Sequence, residues 1–344
     1  MKQARMVEPK TLEIREVMRP EPEADEVLVA VRRIGVCGSD IHVYHGEHPY
    51  TSYPVVQGHE VSGEIVEVGD KVEGLQVGDR VTWMPQIVCG ECYPCTHGMY
   101  HICENLKVMG FQAPGAAQEY FAVQGSKVLA VPEGVSFDAA ALIEPIAVAV
   151  HALRRSGEAL AGKQVLVLGA GTIGNLVAQV ARASGAASVM VTDISDYKVE
   201  QARACGIDVA VNTAREDLGE ALREHFGPSR ADLILECVGV QETITRAVEE
   251  ARKGTTIVVV GVFGERPEVD LGLVQDRELS LVGTLMYQRR DYERAIELVA
   301  AGALVLEPLV THRFPLVSYA KAYATIEESD GRYLKVMIEV GEDG

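Results

Sequence analysis

Four cysteines, Cys89, Cys92, Cys95 and Cys103, stand in a C-x2-C-x2-C-x7-C pattern. Thiolates so spaced can surround a tetrahedral Zn²⁺ and fill all four of its positions, which makes a closed, structural site. The lobe that carries them, residues 86–104, contains Gly90, Pro94 and Gly98 and little apolar periodicity, so a metal would staple a loop that has no core of its own. His97 and His101 are spare nitrogens in that lobe, expected to face solvent rather than metal. A second set of groups is dispersed. Cys37, Ser39, Asp40 and His42 fall within six residues of the run GVCGSDIH, and His59 and Glu60 follow in GHE. Cys37 and His59 are 22 residues apart, too far for a local knuckle but within reach of two loops joined by a β fold. Glu144 sits on an apolar helix read over 139–153, where a carboxylate is costly to bury unless it is paired or bound to a metal.

The third set is a glycine turn. Val165–Leu168 is a short apolar run of the kind a doubly buried parallel strand needs, and it leads directly into Gly169-Ala-Gly171-Thr-Ile-Gly174 and a helical pattern. Gly169 makes the tight turn, Gly171 lets the backbone approach a pyrophosphate, and Gly174 lets helix and strand pack closely. The helix N-terminus then offers amide donors to phosphate. A second apolar strand ends on Asp193, 19 residues beyond Gly174, where a carboxylate can accept hydrogen bonds from an adenosine ribose. That acid would repel a 2′-phosphate, and Ile194 and Ser195 supply no arginine, so the expected dinucleotide is NAD.

These groups need a scaffold of two parts. At 344 residues the chain is long for one core and suggests two domains. From Gly162 to about Val310, strands near 165, 188, 208, 232, 256 and 279 alternate with helices, the pattern of a doubly wound parallel sheet. The first 145 residues instead carry strand patterns, among them Val27–Val31, 61–69, Glu119–Val123 and Lys127–Val131. A tail with one helix, Val317–Glu328, and one strand, Leu334–Glu339, is too small to be a domain and is expected to return to the first. A net charge of −18 argues against a nucleic-acid or anionic-membrane partner and leaves a small molecule as the ligand. The N-terminal residues alternate polar and apolar without the apolar core of a signal peptide, so the expected location is the cytoplasm.

Together GVCGSDIH, GHEVSGEIVEVG, the four-cysteine lobe, ALIEPIAVAVHA and VLGAGTIG resemble, in order and over essentially the whole chain, the zinc-dependent medium-chain dehydrogenases. The branch they are most similar to holds the sorbitol, 2,3-butanediol and threonine dehydrogenases. The resemblance implies a GroES-like β catalytic domain, residues 1–147 with 313–344, and an inserted Rossmann domain, residues 148–312. It implies two Zn²⁺ ions per subunit: a structural one at the four cysteines, and a catalytic one held by Cys37, His59 and Glu144, with Glu60 ligating or approaching as coordination exchanges. Asp40 matches the carboxylate that orients His59. Ser39 matches the hydroxyl that takes the alcohol proton and His42 the imidazole that passes it on. Ile173, Lys198, Val260, Gly261, Val262, Thr284 and Leu285 match positions along the dinucleotide.

The implied activity is hydride transfer from a secondary alcohol, namely a polyol, sugar alcohol or vicinal diol, to NAD, by a homo-oligomer, a tetramer ahead of a dimer. Threonine 3-dehydrogenase and simple secondary alcohol dehydrogenase are the alternatives, with a non-catalytic nucleotide-binding protein of the same fold more remote. Where sorbitol dehydrogenases carry a polyol-touching arginine, this chain has Met286, which argues against sorbitol itself. His45, His48, Tyr50 and Phe111 are further candidates to shape the pocket.

Overall fold

A computed structural model describes residues 1–341, which divide into two compact units: 1–144 together with the chain from Val310 onward, and Pro145–Leu309. The sequence-based boundaries, 147 and 312, lie three residues further along at each junction.

The first unit is built on the strand Glu26–Val36, buried along nearly its whole length because Val27–Val31 presents apolar side chains to both faces. On one edge it pairs antiparallel with Glu60–Val68; on the other its first half pairs with Tyr120–Gln124 and its last residues with Lys335–Glu339. The seven-stranded sheet is completed by Arg80–Trp83, Val128–Ala130 and Val310–Pro315. The tail therefore supplies two strands to this sheet, and its helix, Tyr319–Glu328, adds Tyr319, Tyr323 and Ile326 to the same core as Ile34, Val61 and Trp83. Residues 38–45 form a helix, Gly38–His45, that no periodicity announces, because Ile41, Val43 and Tyr44 are spread around it.

One expected helix is two. The apolar stretch read over 139–153 divides into Phe137–Ala141, capped by Ser136 accepting from Ala139 N, and Ile143–Arg155. Pro145 has no N–H to continue an earlier helix and is tolerated only in a first turn, so the chain restarts there. Glu144 thus lies in the first turn of its helix, where the dipole favours a negative charge, and not in a helix interior.

The second unit is a six-stranded parallel sheet in the order Val209–Asn212, Ser188–Asp193, Gln164–Leu168, Leu233–Glu236, Thr256–Val259 and Ser280–Gly283. Each strand lies within a few residues of its sequence-based position. Leu166, Ile234 and Ile257 are fully buried against helices that contribute Leu222, Phe226 and Ile244. Among the described residues no helix is long and apolar enough to cross a membrane.

A buried polar knot joins the helices Ile143–Arg155 and Arg289–Ala300. Asp291, 1% exposed, accepts from Arg154 Nε at 2.8 Å and from Gln288 N at 2.8 Å, and lies 2.8 Å from His151 Nδ1. Burial opposes its charge, but hydrogen bonds from His151, Arg154 and the Gln288 amide outweigh it and hold the carboxyl well below the usual range. Removing one partner of such a group leaves buried charge uncompensated, so Asp291→Ala should cost about 3 kcal/mol, a low figure for a buried pair because Arg154 is one-third exposed. A depressed carboxyl stabilises above its unfolded pKa of about 3.9 and loses that contribution as pH falls through the folded value. Denaturant unfolding should therefore show a larger gap between wild type and variant at pH 7 than at pH 3.

Candidate active site and metal centres

Strand pairing assembles the dispersed chemistry of the first unit. Cys37 follows directly on the strand Glu26–Val36, and the register of that strand sets Gly35 opposite both Glu60 and Met337. The metal-binding atoms of Cys37, His59 and Glu60 all lie within 4.8 Å of one another. Asp40, at the third position of the helix Gly38–His45, reaches back to accept from Cys37 N at 3.0 Å, which fixes the residue that carries the thiol. Its other oxygen lies 3.6 Å from His59 Nδ1, an ion-pair distance longer than a hydrogen bond.

Glu60 is held firmly. Lys335, 3% exposed, donates to both of its oxygens at 2.7 and 2.6 Å and to Val36 O at 3.1 Å. A Cβ on Gly35 would lie 2.1 Å from Glu60 Oε2, so the glycine of GVCG is what gives this carboxylate its room. Glu144 is buried but stands outside the close trio; its charge is nevertheless felt at His59 and Lys335. Burial disfavours a charged imidazole at His59, yet Asp40, followed by Cys37 and Glu144, holds it up to about 10. The carboxyl of Asp40 is raised too, chiefly through its burial and against the pull of His59. Thiol and carboxylates thus crowd a buried space that demands positive charge, and thiolate, imidazole and carboxylate are donors suited to Zn²⁺.

Ser39 and His42 are three residues apart on one helix and so share a face. His42 is exposed, 3.4 Å from Glu47. Of the four pocket candidates, two gather at the trio: Phe111 packs on the His59 ring at 4.9 Å, and His48 stacks on Phe111 at 4.9 Å. Burial, then the neighbouring imidazoles of His42 and His59, lower the pKa of His48. His45 instead pairs with Glu327 at 2.8 Å, and Tyr50 is exposed.

The cysteine lobe rises from a short hairpin, Gln86–Ile87 with Lys107–Val108. Its four sulfurs also lie within 4.8 Å of one another, with Cys89 and Cys103 at 3.5 Å and Cys92 and Cys103 at 3.8 Å. Backbone amides of Glu91 and Cys92 bring the Cys89 thiol down to about 6. No free thiol quartet gains from this approach, whereas a tetrahedral dication would bind all four. His97 is exposed, as expected, and stacks on Tyr93. His101 is buried, contrary to expectation, because the 3₁₀ turn Tyr100–Ile102 packs it inward.

In the second unit the predicted cofactor residues lie at the carboxyl ends of the parallel strands, where the strand order reverses beside Gln164–Leu168. A Cβ on Gly174 would lie 1.8 Å from Gly169 O, and Gly169 has φ +99° with Val238 against it. A Cβ on Gly171 would meet nothing within 4 Å, leaving open space at the start of the helix Thr172–Ala183 for a pyrophosphate. Asp193 is clamped by Ala170 N at 2.9 Å and Ser195 N at 3.0 Å. Ile173 and Lys198 lie in first turns of their helices; Val260, Gly261 and Val262, and then Thr284 and Leu285, follow the last two strands, with Val262 and Leu285 exposed.

Glu236, which the sequence reading passes over, is fully buried and accepts from Val238 N at 2.9 Å, Gly239 N at 2.8 Å and Thr243 Oγ1 at 2.7 Å. It thereby fixes the loop that abuts Gly169; an acid ending the apolar run LILE just before CVG was its signal.

Two groups of donors with different surroundings predict two zinc ions per chain with different consequences. Cys37→Ser should abolish turnover and leave thermal stability nearly unchanged, whereas Cys95→Ser should lower stability, since a structural zinc contributes folding energy. Metal analysis and calorimetry of both variants would check this; equal stability losses would contradict it.

Family models match two stretches of the chain: the alcohol dehydrogenase GroES-like domain over residues 23–133 and the zinc-binding dehydrogenase domain over residues 172–301. A 2-dehydro-3-deoxy-L-galactonate 5-dehydrogenase of Pseudoalteromonas atlantica is 37% identical over 319 residues, 92% of each chain. A sorbitol dehydrogenase of Halalkalibacterium halodurans is 36% identical over 330 residues, 94% of each. Among solved structures, an alcohol dehydrogenase of Escherichia coli CFT073 complexed with NADH superposes with a TM-score of 0.91 at 34% identity, covering 98% of this chain and 99% of that one. The first unit is accordingly a GroES-like domain and the second a Rossmann domain, and the protein is an NAD- and zinc-dependent secondary alcohol dehydrogenase. This chain belongs to the zinc-dependent medium-chain alcohol and polyol dehydrogenases.

Proposed function

We propose that the substrate is a polyol, sugar alcohol or vicinal diol, oxidised at a secondary hydroxyl to the ketone. The observation that carries this reading is the imidazole of His48 held near the buried trio, stacked on the Phe111 ring that packs on His59, with carboxylate as well as thiolate donors in the trio itself. Such groups can hydrogen-bond hydroxyls beyond the one that reacts. The galactonate and sorbitol relatives named above act, by their names, on chains of hydroxylated carbons.

In this reading Cys37, His59 and Glu144 hold the catalytic zinc with Glu60 in reserve on Lys335, and Cys89, Cys92, Cys95 and Cys103 hold the structural one. Zinc, when bound, supplies a Lewis acid that makes a substrate hydroxyl acidic near neutral pH, and NAD, when bound, accepts a hydride. Ser39 takes the hydroxyl proton, and His42, on the same helical face and exposed, passes it to water. Asp40 holds the His59 ring. Asp193, clamped by two amides, keeps lone pairs for the ribose, and the glycine turn receives the pyrophosphate. Ile173, Lys198, Val260, Gly261, Val262, Thr284 and Leu285 line the dinucleotide. Met286, at φ 51°, follows that line in place of an arginine, which favours polyols other than sorbitol.

A site that hydrogen-bonds a second hydroxyl leaves polar groups unpaired when that hydroxyl is absent, a penalty that can reach about 10⁴. A vicinal diol or polyol should therefore show kcat/KM at least about tenfold above a mono-alcohol of equal carbon number, read from NAD reduction. If 2-butanol is oxidised as well as 2,3-butanediol and sugar alcohols are inert, the protein is a simple secondary alcohol dehydrogenase. The family resemblance also supports a cytoplasmic homotetramer; light scattering that returns the mass of one chain at micromolar concentration would refute the assembly.

A further inference from the structure

A polar chain runs behind the trio and ends in the tail of the sequence. Gln57, 2% exposed, lies two residues before His59; its Nε2 is 3.2 Å from both the main-chain oxygen and Oδ1 of Asp40. Its Oε1 accepts from the hydroxyl of Tyr323 at 2.7 Å, across 266 residues of sequence. Tyr323 is fully buried in the helix Tyr319–Glu328, its ring stacked on Tyr44 at 4.5 Å and 3° and against Tyr319 at 5.6 Å. Tyr44 belongs to the helix Gly38–His45, which also bears Asp40.

The order of donors and acceptors along this chain follows from its chemistry. A flipped Gln57 amide would set its oxygen against Asp40 Oδ1, acceptor to acceptor, between two fully buried side chains. The Tyr323 hydroxyl, donating to Oε1, holds the amide the other way round, so that Nε2 faces the carboxylate. Asp40 then has one oxygen on Cys37 N and the other on Gln57 Nε2, and this second oxygen is the one 3.6 Å from His59 Nδ1. The Asp40 oxygen that faces the imidazole is thus bonded by Gln57, a side chain outside the trio of Cys37, His59 and Glu60. Partners behind the ligands of a metal commonly govern its affinity in this way.

We infer that Gln57 and Tyr323 are positioning residues of the catalytic metal centre: Tyr323 orients the Gln57 amide, Gln57 locates Asp40 Oδ1, and Asp40 aligns His59 and Cys37. The inference rests on the reading of Cys37 and His59 as zinc ligands. It makes the tail helix part of the metal site as well as of the core.

The test uses the full-length protein, wild type, Gln57→Leu, Tyr323→Phe and the double variant, each stripped of metal and titrated with Zn²⁺ and with Co²⁺. Each single variant should lose about tenfold or more in affinity at the Cys37 site by chelator competition, and should shift the visible bands of bound Co²⁺. The four-cysteine site should keep its metal. Because Tyr323 acts only through Gln57, the double variant should be no weaker than Gln57→Leu. Wild-type affinity and cobalt spectra in both single variants, with only thermal stability reduced, would overturn the inference, as would fully additive losses. Should Gln57→Leu fail to fold, Tyr323→Phe removes one hydroxyl and decides alone. If instead wild type binds a single zinc that Cys95→Ser abolishes and Cys37→Ser does not, the ligand reading itself has failed.

Discussion

Buried negative charge is the constraint around which the catalytic unit is arranged. Asp40, Glu60 and Glu144 are all withdrawn from water beside the Cys37 thiol, and an isolated carboxylate in such a place costs several kcal/mol or takes up a proton. The protein answers with Lys335 on Glu60 and with amide donors from Cys37 and Gln57 on Asp40. This arrangement balances most of the charge and leaves a site receptive to a divalent cation. The same excess explains why GVCG must contain Gly35: the carboxylate of Glu60 occupies the place of its missing Cβ.

The architecture of the sheet follows from this need. Lys335 is the first residue of the strand Lys335–Glu339, which pairs with the end of Glu26–Val36 and so brings a cation from the far end of the chain to the two residues before Cys37. The adjoining helix adds Tyr323 to the polar chain that reaches Asp40 through Gln57. A tail that would otherwise be a decoration is tied to the chemistry by two separate contacts, one ionic and one neutral.

The nucleotide unit meets a different demand, the close approach of backbone to phosphate. Gly174 permits helix and strand to touch, Gly171 leaves space, Asp193 accepts the amide of Ala170 in the turn, and Glu236 accepts those of Val238 and Gly239 in the loop that abuts Gly169. Both acids end parallel strands, where the sheet has no further ladder bonds to offer.

Residue types and spacing determined a great deal here. The four-cysteine lobe, the glycine turn ending at Asp193 and all six parallel strands are local patterns, set by covalent spacing and by the period of apolar residues, and these survive any tertiary arrangement. The helix break at Leu142 was equally local, since Pro145 cannot donate to the preceding turn. What only the tertiary structure decided are the contacts between distant residues. Lys335 with Glu60, Tyr323 with Gln57, His48 over Phe111 on His59, and the inward turn of His101 leave no periodic trace in sequence. The side-chain pairs join residues tens to hundreds of positions apart through the packing of strands, helices and loops, and for Lys335 and Glu60, both in strands, a one-residue slip in pairing would turn a side chain to the other face of the sheet.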